Sequence, residues 1–488
     1  MKTPISIFLL MISAALMAQP VFNLNYEVIQ PFRPVNSITR LEKGSQIKIS
    51  SVPIQNSGTS STNIYVAESG GEKFLLRQEH LKNLRLLDNK LTTDQLWQLA
   101  IMDSRFPSSF LKEGLKKTER AALNEENRML ISNLSNNGCF FNDPYITDYL
   151  RRLLCQISGP GLRDGRPAAM NVLVIFDPWP RSYSFSNGTI LLSTGLFSTL
   201  SSEEEMISVL TREVAHIVMD HQFENYSHIE YNTFGPEFWY EYYQDLAIPG
   251  NILANLRYDL YTGYSQTTPA TPEKLGLPSP VTEKLGLKYT DEQNKSASIA
   301  AKRILKHLGI DTLALTSADT RIVNFFSGQF SQSTSLLPET GDPSWLKLPF
   351  YDLNYIRELS MISTLSASYF LKSGYYSAAD LMVTRNIVTG VATEDDYLIK
   401  AELIARLQDS PESTARALKY LEMAETVQVN PRYYLPRLKA LAYLRLNQTE
   451  EAIAELKKYL SALKTIQPDD ELLNEMEWVR GVLFKLGG

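Results

Sequence analysis

Thr211-Arg212-Glu213-Val214-Ala215-His216 holds the residue types in this chain that could do chemistry. The stretch follows the pattern H-E-x-x-H with its first histidine changed to arginine. In the intact pattern, imidazoles at i and i+4 share one helical face and hold Zn²⁺, while the glutamate between them activates the metal-bound water. Here Glu213 reads as a vestigial general base, His216 as the one surviving metal ligand and Arg212 as a replaced ligand. A guanidinium stays charged, has no lone pair to give, and puts positive charge where the cation would sit. His221 and His228, with Glu224, follow closely and could offer other ligands. On a continuous helix, however, a separation of five residues turns His216 and His221 about 140° apart.

Such residues work only if a helix presents them, and the flanking sequence supplies one. Ser201-Ser202 followed by Glu203, Glu204 and Glu205 has the form of a capped N-terminus. Met206, Ile207, Val209, Leu210, Val214, Ala215, Ile217 and Val218 then make the helix apolar nearly all round, hence central and buried. Charged groups in such a place must be paired. Arg212 is expected to pair with a buried carboxylate, Glu213 being a candidate. Upstream, Asn171 to Phe176 reads as a buried strand stopped by Asp177-Pro178-Trp179-Pro180. A second strand, Gly188 to Ser193, ends at Thr194-Gly195-Leu196.

Three stretches in this order resemble the zinc metallopeptidases of the HtpX and BepA type, family 48 of the metallopeptidases. Asn187 to Leu196 is similar to the family's edge strand, Ser201 to His221 to its zinc helix, and Tyr289 to Asp311 to a later helix ending in Leu305 to Gly309 and Ile310-Asp311. The resemblance implies a third zinc ligand, a glutamate, on that later helix. The matching position is Ser296, a second replaced ligand, and Ser298 stands for the supporting acid. The chain's histidines, at 80, 216, 221, 228 and 307, provide no counterpart of the family's further His-Pro histidine. With two of three ligands gone, no cofactor is expected, and zinc only if the site is active.

The expected fold class is α+β: a mainly helical metallopeptidase-like domain with a small β-sheet, a small SH3-like β domain before it and a helical repeat after it. Met1-Lys2 and the apolar run to Ala18 read as a signal peptide cut after Ala18, which places the protein in the periplasm or outside the cell. Residues 19–90 carry three short strands, Gln46 to Ser50, Asn63 to Ala67 and Lys73 to Leu76. Residues 91–136 read as a helical connector, 137–335 as the metallopeptidase-like domain, and 336–488 as tetratricopeptide-like. The last reading rests on Ala417 to Ala424 echoed by Ala452 to Leu460, with a third unit beginning near Tyr369. An aromatic insert spans 229–290, either a lid over the cleft or ordinary packing. No further segment is long and apolar enough for a membrane helix.

At 44% hydrophobic and 21% charged, the 488-residue chain has a globular composition, and its net charge of −6 argues against nucleic acid as a partner. Cys139 and Cys155 could pair, which would be worth about 3 kcal/mol if unstrained. The other reading, favoured by the pattern Leu150, Leu153, Leu154, Ile157, makes Cys155 a buried helix residue. The expected function is a catalytically inactive pseudopeptidase that binds envelope proteins or peptides through its cleft and repeat, in a chaperone or quality-control role. The alternatives are an active zinc endopeptidase with unusual ligands and a repeat-based assembly scaffold.

Overall fold

A computed structural model of the chain describes residues 24–35, 37–51, 64–87, 91–103, 115–158, 170–228, 279–330, 350–428, 431–466 and 470–487. The expected signal peptide and nearly all of the aromatic insert lie outside these. Among the described residues, no helix is long and apolar enough to cross a membrane. The fold is α+β, mostly helical with two small sheets.

The N-terminal sheet has five antiparallel strands where three were expected. Strands β1 (Leu24–Val28), β2 (Gln46–Ser51), β3 (Ile64–Ser69), β4 (Glu72–Arg77) and β5 (Leu84–Leu86) lie in the order β4-β3-β2-β1-β5. The three expected strands are β2, β3 and β4. Strand β5 has only three residues, too few to show a period of two, and β1 begins just after the expected signal peptide. Leu24, Tyr26 and Val28 nonetheless alternate inward as a half-buried strand should. Gly70 and Gly71, at φ 57° and 85°, close the two-residue β3–β4 hairpin, where both turn positions favour left-handed residues. A four-residue helix, α1 (Gln78–Leu81), leads into β5.

The described parts of the stretch read as a connector, 91–103 and 115–136, pack into the core. Helix α2 (Thr93–Asp103) buries Trp97, whose indole N–H donates to Ile157 O at 2.9 Å. Helix α3 (Leu115–Asn136) packs beside the site described below. In α4 (Pro144–Ser158), Leu150, Leu153, Leu154 and Ile157 are buried as the pattern predicts. Cys155, however, falls on the exposed side of this amphipathic helix, which corrects its reading as a buried residue. Cys139 is buried, and both cysteines are free.

The second sheet comprises β6 (Asn171–Ile175), β7 (Ser182–Ser184) and β8 (Thr189–Ser193) in the order β6-β8-β7, with β6 and β8 parallel and β7 antiparallel to β8. The run likened to an edge strand, β8, is therefore the middle strand. Its burial agrees, since four of its five residues are inaccessible. The edge is β7, a Ser-Tyr-Ser strand too short and polar to stand out in sequence. At the end of β8, a Cβ on Gly195 would lie 2.0 Å from Pro178 O, so only glycine lets the chain pass this closely.

Helix α5 (Thr194–Thr199) follows, then the central helix α6 (Glu203–Val218), which Ser202 caps by accepting from Glu205 N at 3.1 Å, as its sequence indicates. Around it stand α7 (His221–His228), α8 (Ser279–Lys284), α9 (Asp291–His307) and α10 (Leu313–Phe330). After α11 (Leu353–Glu358), three helical hairpins succeed one another: α12 (Ser360–Lys372) with α13 (Tyr376–Val388), α14 (Glu394–Leu407) with α15 (Pro411–Val427), and α16 (Leu435–Arg445) with α17 (Thr449–Leu463). Helix α18 (Asp470–Leu486) closes the series. Ala417 and Ala452 are buried on α15 and α17, the second helices of successive hairpins. The earliest hairpin starts at Ser360, so Tyr369 lies inside its first helix and not at its start.

The hairpins are fixed to the central part through an aromatic cluster. The Trp179 ring stands 5.3 Å from Phe370, 5.4 Å from Tyr375 and 6.0 Å from Phe325, each edge to face. Arg385, fully enclosed on α13, donates to Ser198 O on α5.

Candidate metal centre

Helix α6 places Arg212, Glu213 and His216 over β7, between α9 and α10. Arg212 does not turn to Glu213, because neighbours on a helix do not face each other. It pairs with Asp319 of α10, a carboxylate that remains 44% exposed, so the expectation of a deeply buried partner is corrected. Asp319 was not singled out from sequence, although a signal existed. Helix α10 carries one acid and one base, Asp319 and Arg321, in an otherwise uncharged stretch. Both answer charges on α6: Asp319 meets Arg212, and Arg321 meets Glu205.

Glu213 is buried. Its Oε1 accepts from Ser182 Oγ at 2.8 Å, and its Oε2 has no hydrogen-bond partner among the described residues. Burial raises its pKa, opposed by the nearby Arg212 charge and the Ser182 hydrogen bond. The side chain thus favours the protonated form more than a solvated glutamate does.

His216 and His221 are 2% and 4% exposed, and their Nδ1 atoms meet at 2.9 Å. The helical-wheel argument that set them apart fails because α6 ends at Val218. Asp220 takes a left-handed φ of 65°, and α7 starts afresh at His221. Asp220 is held there by Arg120 of α3, whose guanidinium also lies 4.0 Å from the Phe223 ring centroid. Burial lowers the pKa of both imidazoles. For His216 the positive fields of His221 and Arg212 add to it, and His221 falls to about 4 despite the neighbouring Asp220. One neutral imidazole therefore donates to the other.

Tyr289, just before α9, was also missed as a site residue. Its ring stacks on His216 with centroids 3.9 Å apart, and its hydroxyl donates to Ser184 O at 2.8 Å. Ser296 is half-buried, and its Oγ donates to Gln293 O of its own helix at 2.9 Å. Glu224 accepts from Gln293 Nε2 at 3.0 Å, and the side chain of His228 lies outside the described residues.

These residues do not fit zinc. A tetrahedral site needs three protein donors with free lone pairs. Of the expected positions, Arg212 is a cation tied to Asp319, Ser296 is a neutral hydroxyl bonded to its own helix, and only His216 is a ligand type. Its Nδ1 meets His221, which leaves Nε2 as the one nitrogen it could offer a metal. Among the described residues, no three His, Cys, Asp or Glu side chains stand together as a metal site.

No curated protein matches the chain. Residues 152–235, from the second half of α4 through the sheet and α6, match the family model of peptidase family M48, which makes this part of the protein metallopeptidase-like.

Proposed function

We propose that the chain is a pseudopeptidase that binds polypeptide without cutting it. The observation that carries this reading is the Arg212–Asp319 ion pair, which puts a fixed positive charge where a zinc ligand would be. Glu213 in turn has one oxygen held by Ser182, and burial raises its pKa. Site and scaffold have separated: the buried packing of α6 is kept, and its chemistry is not.

The hairpin series is read as tetratricopeptide-like, offering its surface to proteins or peptides in a chaperone or quality-control role at the cell envelope. The five-stranded sheet is read as an SH3-like module, a reading supported by its strand order and by the short helix before β5. A cleaved signal peptide and a periplasmic location belong to the same proposal.

The test is incubation with β-casein, an unfolded polypeptide, followed by sedimentation and mass spectrometry of the casein. The expected result is casein that co-sediments intact. Time-dependent fragments that a zinc chelator suppresses would overturn the reading in favour of the active peptidase.

A further inference from the structure

Among the described residues, strand β7 has no strand on its outer side and is an edge of its sheet. On the other side, residues 139–141 already cover β6, with Phe141 N bonded to Val174 O at 2.8 Å and Phe176 N to Cys139 O at 2.8 Å. The ladder fixes which way the groups of β7 point. Ser193 N donates to Arg181 O and Phe185 N to Thr189 O, so 181, 183 and 185 bond to β8. In an antiparallel ladder the alternate residues, Ser182 and Ser184, direct their N–H and C=O groups outward. An outward row of this kind is a template for an added strand.

That template is blocked. The Tyr289 hydroxyl donates to Ser184 O at 2.8 Å, and Ser184 Oγ stands 2.9 Å from the same phenol. With the phenolic proton spent on the carbonyl, the serine hydroxyl donates back. The ring is braced twice, by its stack on His216 and by the capping box in which Thr290 and Gln293 start α9. We propose that Tyr289 is an internal plug: its phenol takes the outward carbonyl of Ser184, so an extended polypeptide can join β7 only by displacing it. This rests on the reading of the chain as a polypeptide-binding protein and adds where binding is held back.

The experiment is fluorescence anisotropy of fluorescein-labelled β-casein with the full chain. Tyr289→Phe keeps the ring on His216 and removes the competing donor, so casein should bind roughly tenfold more tightly, the scale of one hydrogen bond. Adding Ser184→Pro removes the outward N–H while suiting an edge strand, and should return the affinity to that of the native chain. Amide exchange at Ser182 and Ser184 should slow on casein binding to Tyr289→Phe. Native binding left unchanged by Tyr289→Phe would overturn the plug alone. Absence of binding by every variant would overturn the plug and the polypeptide-binding reading together. A gain that survives Ser184→Pro would show that the new contact is not strand addition.

Discussion

Glu205 and Glu213 are buried on the same helix, about two turns apart, in opposite states. At the N-terminal end, Glu205 Oε1 accepts from Ser317 Oγ at 2.6 Å and Arg321 Nε at 2.7 Å, and Oε2 accepts from Ser201 N at 2.7 Å. At the C-terminal end, Glu213 has Ser182 on one oxygen and, among the described residues, no hydrogen-bond partner on the other. The difference teaches what each group is for. A charge that holds a fold together is fully partnered, whereas Glu213 keeps an oxygen that no hydrogen bond satisfies among the described residues. The hairpins follow the first rule: Lys400 bonds Asp380 at 2.6 Å and Thr384 at 3.0 Å inside the α13–α14 contact.

The largest effect should come from breaking the satisfied end. Glu205→Ala removes the carboxylate that pairs with the Arg321 side chain, 4% exposed, and should cost ~3–5 kcal/mol in urea unfolding. A loss below about 1 kcal/mol would mean that the two ends do not differ as claimed.

Acid should act next, through the unsatisfied end. Both imidazoles titrate below 6.5 in the folded chain, so their contribution is intact above pH 6.5 and is lost as pH falls toward about 4, where the unfolded chain takes up protons that the folded chain refuses. For His221 alone this amounts to roughly 3 kcal/mol. Glu213 has the opposite sign: its raised pKa costs stability at high pH, and that cost fades as pH falls through the raised folded value and is gone below the unfolded value of 4.5. Unfolding at pH 7.5, 6 and 5 should show the net loss, and His221→Gln should flatten it. An equal slope in this variant would remove the imidazole pair from the account.

How much of this was legible in the sequence varies with how local the signal was. Helix α6, its cap and its burial followed from Ser202, three acids and an apolar run, all contiguous. The partner of Arg212 did not, because Asp319 is 107 residues away and only the fold brings it near. The contact of His216 with His221 was hidden by assuming one helix where Asp220 makes two. Strand β7 and Tyr289 escaped because a three-residue strand has no period, and because a lone tyrosine acquires meaning only beside Ser184. The hairpins were readable from their spacing, but their anchorage through Trp179 and Phe370 was not.

Smaller effects sharpen the unsatisfied end. Glu213→Gln keeps the shape and removes the disfavoured charge, so it should stabilise the chain by roughly 1 kcal/mol above pH 7, with the gain vanishing below pH 4.5. A loss at pH 7.5 would show that the carboxylate is structural after all. The smallest effect is expected for Arg212→His. Its pair with the partly exposed Asp319 is worth at most about 1 kcal/mol, and one restored imidazole without a third ligand should bring neither zinc nor hydrolysis.

The central claim is that this metallopeptidase-like fold has lost its metal, and elemental mass spectrometry of the purified protein tests it most directly, beside the Arg212→His, Ser296→Glu double variant. The account predicts no stoichiometric zinc in the native chain, and zinc in the double variant if Ser296 stands at the third ligand position. One zinc per native chain would contradict it, since His216 would then have partners other than Arg212 and Ser296.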